Sequence, residues 1–208
     1  MNAEKAQELS EQILQNNFGI VQHLFSENML QSMKEFCLLQ YQQGEFEKAK
    51  IGKGIEKQRI TEIRNDYILW LSDYTHEETI RSFLDEMYQL MDYFANFFRI
   101  SLNRYEGHYA VYPPESFYKK HLDQFSDASN RLISCVIYLN DDWEETNGGQ
   151  LRIYHKENVK EYTDIFPAFG KVVCFRSDCV EHEVIKTSEK RFSITGWMRR
   201  DELLLAID

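Results

Sequence analysis

The chain is poor in cysteine, and the cysteines it has form no pattern. Cys37, Cys135, Cys174 and Cys179 make no CxxC pair and no dense framework, which argues against a disulfide-stapled scaffold and a thiolate zinc module. Three of them sit inside apolar runs and are expected as buried, reduced thiols. No apolar run reaches transmembrane length, and the opening MNAEKAQELSEQILQ is charged where a secretory signal would need an apolar stretch. A cytoplasmic protein with no membrane partner is the expectation. Basic charge is also in deficit, with 24 Lys and Arg against 34 Asp and Glu, a net charge of −10. That argues against a nucleic-acid partner, because such binding rests on neutralising phosphates. Internal repeats and low-complexity tracts are missing too.

What is present suits one sizeable core. With 208 residues, 43% hydrophobic and 14% aromatic, the chain is expected to form a single domain over 1–208. Residues 1–100 read as mainly helical support with a substrate loop, and 101–208 as a β-rich core. Helices are predicted over 4–16, over 29–39 behind an N-cap at Ser26, and over 77–98. In the last, Ile80, Phe83, Leu84, Met87, Leu90, Met91, Phe94, Phe97 and Phe98 recur at three- and four-residue steps, a broad apolar face that wants a sheet beneath it. GIVQHLF (19–25) reads as a strand. The polar segment 44–66 reads as a mobile loop entering a strand at 67–71.

From residue 102 the hydrophobic period becomes two. NRYEGHYAVY, SFYKKHLD, RLISCVIYLN, GGQLRIYH, YTDIF, KVVCFRS, HEVIKT and RFSITGWMRR follow one another, with turn residues at 113–114, 126–130, 147–149, 167 and 170. Helices clustered upstream of many short strands exclude an alternating parallel fold. The expected class is α+β, a jelly-roll pair of sheets buttressed by N-terminal helices.

Within KKHLDQF (119–125), His121 and Asp123 stand two apart, so on a strand both leave the same face. An HxD alone carries little weight. His121 could be an ordinary strand histidine and Asp123 a turn-former. A second pair, His155 and Glu157, ends a strand in a polar stretch and is expected to face solvent. The stretch 178–200 adds to the picture. His182 opens a strand, and on the returning strand Arg191, Ser193, Thr195 and Trp197 share one face. An arginine aimed into a sheet interior is costly unless paired, and no carboxylate on that face supplies a partner. Read as ordinary structure, Arg191 would be a surface cation near Glu189 and His182 a loop residue. Read together, two imidazoles and one carboxylate leave three open positions on a non-haem Fe(II) ion, for a bidentate 2-oxo acid and O2. Arg191 would then take the far carboxylate of that co-substrate.

HLD (121–123), His182 and the RFSITGW context of Arg191 resemble the Fe(II)/2-oxoglutarate dioxygenases of the double-stranded β-helix fold. EIRNDYILWL (62–71), YLNDDW (138–143), GGQLRIY (148–154) and RFSITGW (191–197) narrow the likeness to the Egl-nine, or hypoxia-inducible-factor prolyl hydroxylase, branch and its bacterial relatives, from about residue 50 to about residue 200. The resemblance implies His121, Asp123 and His182 as iron ligands and Arg191 as the anchor of the 2-oxoglutarate C5 carboxylate. It adds Tyr138 and Thr195 as hydrogen-bonding partners of that carboxylate, and Tyr112 and Leu151 as pocket walls. It also implies a substrate-closing loop around 51–58, together with Arg64 and Asp66. Fe(II), 2-oxoglutarate and O2 would be required, with ascorbate in support. The chain departs from the family in carrying Pro-Pro-Glu-Ser at 113–116, where relatives are often glycine-rich. The missing N-terminal zinc-finger module favours a compact bacterial type. The implied substrate is a prolyl residue in a protein, with a translation elongation factor the first partner to test. The alternatives are a 2-oxoglutarate dioxygenase acting on a small molecule or another side chain, and a non-catalytic jelly-roll binding domain.

Overall fold

The computed structural model describes residues 1–49, 62–124, 130–155 and 161–201. Helix α1 (Ala3–Asn16) is capped by the Asn2 side chain, which accepts the Lys5 amide, and is closed by Asn17 in the left-handed region. After β1 (Phe18–Gln22), His23 turns the chain at φ 62, so Leu24 and Phe25 drop into the helical core instead of extending the strand. The Ser26 hydroxyl then caps α2 as predicted, accepting the Met29 amide at 3.3 Å. The helix, Glu27–Gln43, is longer than 29–39 and stops at Gly44. Next come β2 (Glu47–Lys48), β3 (Tyr67–Trp70) and α3 (Glu78–Phe98). Leu71, expected at the end of the strand, instead begins a 3-10 turn.

Eight more strands follow among the described residues: β4 (Arg104–Tyr112), β5 (Tyr118–His121), β6 (Arg131–Tyr138), β7 (Leu151–Tyr154), β8 (Tyr162–Ile165), β9 (Lys171–Arg176), β10 (His182–Val184) and β11 (Arg191–Arg199). They form two antiparallel sheets, one ordered β1-β9-β6-β11-β4-β3-β2 and the other β5-β10-β7-β8. HEVIKT is strand only through Val184. Beyond it the chain bends so that Gly148 and Thr187 bridge.

The central strands of the large sheet are buried on both faces, and residue parity decides which face each side chain joins. Ile133, Cys135 and Ile137 of β6, Val172 and Cys174 of β9, and Ile194 and Met198 of β11 pack with the helices. Their neighbours Val136, Tyr138, Val173 and Phe175 turn the other way, toward Leu151, Ile153, Ile165 and Val184 of the small sheet. Helix α3 buries Ile80, Phe83, Met87, Leu90, Met91 and Phe94, while Leu84, Phe97 and Phe98 are only half-buried. It packs on α1 and α2 as well as on β4. Its partner is therefore a helix layer and a sheet together. Among the described residues no helix is long and apolar enough to cross a membrane.

Candidate metal centre

Antiparallel pairing of β5 with β10 sets His121 directly opposite His182, with ring centroids 4.2 Å apart. Asp123 lies two residues on, just past the strand. The next residue is pinned, since Gln124 N–H donates to the Ser177 carbonyl at 3.1 Å. The Nε2 atoms of His121 and His182 stand 3.5 and 3.8 Å from the two Asp123 oxygens. One ligand atom from each of the three residues lies within 4.8 Å of the others.

Each imidazole is held from behind. His121 Nδ1 lies 2.7 Å from the Lys119 carbonyl and His182 Nδ1 lies 3.0 Å from the Val180 carbonyl. If each Nδ1 carries the proton and donates it, Nε2 is left as the metal-facing lone pair. Ser134 Oγ donates to Asp123 Oδ2 at 2.6 Å and meets Ser177 Oγ at 2.8 Å. Burial pushes Asp123 up, but the charges of His182 and His121 and the Ser134 hydroxyl outweigh it and hold the carboxyl well below the usual range. Burial lowers His182 to about 4, with Asp123 pulling upward and His121 downward. At neutral pH Asp123 is ionised and His182 is a neutral donor, the forms a divalent ion needs.

The same cavity, about 470 Å³, reaches Arg191. Arg191 is 2% exposed. Its Nε donates to the Gly149 carbonyl at 2.8 Å and its Nη1 to Ser193 Oγ at 3.3 Å. Its guanidinium carbon lies 4.8 and 5.0 Å from the rings of Tyr112 and Tyr138. Among the described residues no carboxylate forms an ion pair with it, and the Tyr138 hydroxyl is buried without a partner. A buried cation beside an orphaned hydroxyl calls for an anion with several acceptor oxygens. The Gly149 carbonyl depends on its glycines. Gly148 and Gly149 both have φ +67, and a Cβ on Gly148 would meet the Lys186 carbonyl oxygen at 2.3 Å. Leu151 and Thr195 line the same cavity.

Arg64 and Asp66 sit at the anchored end of the expected loop. Asp66 is 1% exposed and accepts a fork from Arg64, with Nε at 2.7 Å. Flanking main chain is tied down, with Lys119 N–H donating to the Ile63 carbonyl at 2.8 Å and Ala49 N–H to the Asp66 carbonyl at 3.0 Å. Segment 51–58 lies outside the described residues, as does Glu157 of the second histidine pair. His155 is half-buried rather than solvent-facing, its Nε2 at 2.9 Å from Thr163 Oγ1.

Sequence reasoning missed several contributors. Tyr118 stacks on His121 at 3.7 Å between centroids, and the Arg64 guanidinium lies 4.4 Å over Tyr118. Ser134 had a signal, since it shares strand parity with Val136 and Tyr138 in an otherwise apolar run. Tyr118 had none, since three residues before His121 it has the opposite strand parity, and an irregularity in the β5–β10 pairing accompanies their contact. The Gly149 carbonyl had none beyond the glycine pair.

Residues 107–199 match the 2OG-Fe(II) oxygenase superfamily. The structure is similar to that of a Pseudomonas putida prolyl-4-hydroxylase, with 31% identity and TM-score 0.84 over 94% of this chain and 98% of that one. It shares its fold with a Trichoplax adhaerens prolyl hydroxylase solved with a hypoxia-inducible factor oxygen degradation domain peptide fragment, at 24% identity and TM-score 0.78, covering 93% and 88%. Among curated proteins, Egl nine homolog 1 of Mus musculus is 32% identical over 143 residues, covering 65% of this chain and 35% of the relative. The chain thus spans about a third of the length of that relative. The chain belongs to the 2OG-Fe(II) oxygenase superfamily and is homologous to the Egl nine prolyl hydroxylases. The donor set and the anion seat at Arg191 fit the two groups that name the superfamily.

Proposed function

We propose that this chain is a dioxygenase that uses Fe(II), 2-oxoglutarate and O2 to hydroxylate a prolyl residue in a protein. The observation that carries the reading is a single cavity lined both by a His-Asp-His set and by a buried arginine that pairs with no carboxylate among the described residues. Similarity to the Pseudomonas putida prolyl-4-hydroxylase over nearly the whole of both chains supports proline as the target. The peptide in the Trichoplax adhaerens structure supports a protein substrate.

When bound, Fe(II) would supply the oxygen chemistry, with 2-oxoglutarate as the co-substrate that is consumed. His121, Asp123 and His182 would hold the metal, their orientation fixed by the Lys119 and Val180 carbonyls and Ser134. Arg191 would grip the far carboxylate as a fork, with Tyr138 donating its otherwise unpartnered hydroxyl. Thr195 would join Tyr138 on that carboxylate, and Tyr112 and Leu151 would wall the co-substrate pocket. The chain's share is thus to position reactants and keep competing water out. We place this reaction in the cytoplasm on cysteine usage alone. Resemblance alone makes a translation elongation factor the first partner to test.

Incubating the purified protein with Fe(II), ascorbate, 2-oxoglutarate and cell lysate is expected to add one oxygen atom to a proline, read by mass spectrometry. Succinate formation with no modified proline would move the substrate to another side chain or a small molecule. No visible charge-transfer band on anaerobic addition of Fe(II) and 2-oxoglutarate would refute the enzyme reading.

A further inference from the structure

One wall of the cavity serves neither the ligand set nor Arg191. His108 on β4 is 3% exposed, and its ring stands between two indoles, 5.0 Å from Trp70 and 5.4 Å from Trp197 by centroid. Strand register puts it there, because His108 lies opposite Trp70 on β3 and opposite Thr195 on β11. His108 Nδ1 and Trp197 Nε1 are both buried without a hydrogen-bond partner, and both residues line the cavity. Leaving such a group unsatisfied costs its full desolvation penalty. Two on one wall mark a place that a ligand completes.

Charge limits what that ligand group is. Burial lowers His108 to about 3, helped by Arg64 and Arg131 and opposed by Asp123, so the imidazole is neutral. Both nearby guanidinium groups are already engaged, Arg64 by Asp66 and Arg131 by Glu106 at 3.2 Å. The Arg131 guanidinium carbon also lies 3.4 Å over the Trp197 ring. A carboxylate would therefore find no waiting cation here, unlike at Arg191. An indole N–H only donates, and a neutral imidazole offers one donor and one acceptor. A neutral amide, with its carbonyl oxygen, is the complement.

We propose that His108 is a specificity-determining residue which, with the Trp197 N–H, hydrogen-bonds the main-chain amide that follows the target proline and so selects peptide-bonded proline over analogues lacking that amide. The inference rests on the proposed function. A site built around a hydrogen bond rejects ligands that cannot make it, since its own buried groups are then stranded.

The test compares N-acetyl-L-proline N-methylamide with N-acetylpyrrolidine, which keeps the ring and loses the following amide. Binding is followed by NMR titration of protein loaded with 2-oxoglutarate and redox-inert Zn(II). The wild type is expected to prefer the amide by about tenfold, the value of one such hydrogen bond. His108→Phe, with His108→Met as a second apolar variant, should reduce that preference to about threefold or less by weakening only the amide. His108→Asn, which returns a polar atom near the Nδ1 position, should restore most of it. The 2-oxoglutarate affinity, measured in the same samples, should stay within about twofold. A wild type without preference, or an apolar variant that keeps it, overturns the inference and leaves the proposed function standing. Equal loss of both probes and of 2-oxoglutarate would show a purely structural histidine and also overturn it. A wild type that takes up neither Zn(II) nor 2-oxoglutarate would bring down the proposed function itself.

Discussion

The two faces of the seven-stranded sheet are made by the same strands and do different jobs. On the helix side, alternate residues such as Ile133, Cys135, Ile137, Ile194 and Met198 are apolar and join the core built on α1, α2 and α3. On the cavity side the interleaved positions include Ser134, Tyr138, Arg191, Ser193 and His108, all of them buried. The helix-side face is carried mainly by apolar burial, although the Tyr105 hydroxyl is buried there without a partner, and the cavity-side face leaves His108, Tyr138 and Trp197 with incomplete partners. The contrast shows how a fold carries a reactive site without being undermined by it: a deep apolar layer on one side stabilises a sheet that holds unsatisfied groups on the other.

Substitutions in the layer packed against each face should therefore separate function from stability. The largest effect is expected from His182→Ala, which should abolish turnover with the melting temperature little changed, read by succinate formation and thermal unfolding. An active variant would remove His182 from the ligand set. Phe83→Ala, on the helix side, should do the reverse. It deletes a fully buried ring packed 5.7 Å from Phe25 by centroid, and should lower unfolding free energy by about 3–5 kcal/mol, with 2-oxoglutarate affinity retained while folded. Arg191→Ala should weaken 2-oxoglutarate binding by about a hundredfold, the value of a bidentate charged contact, and calorimetry checks it.

His108 gives the comparison a pH axis. An unfolded histidine takes up a proton near pH 6.5, whereas folded His108 stays neutral down to about 3. The unfolded state thus binds more protons in between, and stability falls as pH drops from 6.5 toward 3. Denaturant titrations at pH 7 and pH 5 should show His108→Phe losing about 2 kcal/mol less than wild type over that interval. The smallest effect is expected from Ser134→Ala, which leaves the ligands in place but removes the hydrogen bond that orients Asp123. It should cost about tenfold in metal affinity, measured by metal titration.

Strand and helix periodicity made much of this readable beforehand. The apolar face of α3 and the period-two run from residue 102 set out the elements, and parity alone put Arg191, Thr195 and Trp197 on one wall. The sheet order was not readable, because β1 pairs with β9 from the far end of the chain, and nothing local encodes such a partner. For the same reason His108 went unnoticed: strand parity groups it with Ala110 and Tyr112, but the two indoles that flank it arrive from β3 and β11. At Arg64 and Asp66 the bidentate pairing and the buried carboxylate hold the chain locally, a constraint that the polar composition of the stretch does not reveal.

The stack of Arg64 on Tyr118 and of Tyr118 on His121 links two things that could have been independent. The chain leading out of segment 50–61 is braced, through one phenol ring, against an imidazole of the His-Asp-His set. A substitution that unseats Arg64 would thus disturb the angle of that imidazole, so changes there are constrained twice, by whatever that stretch contacts and by how firmly the neighbouring ring is held.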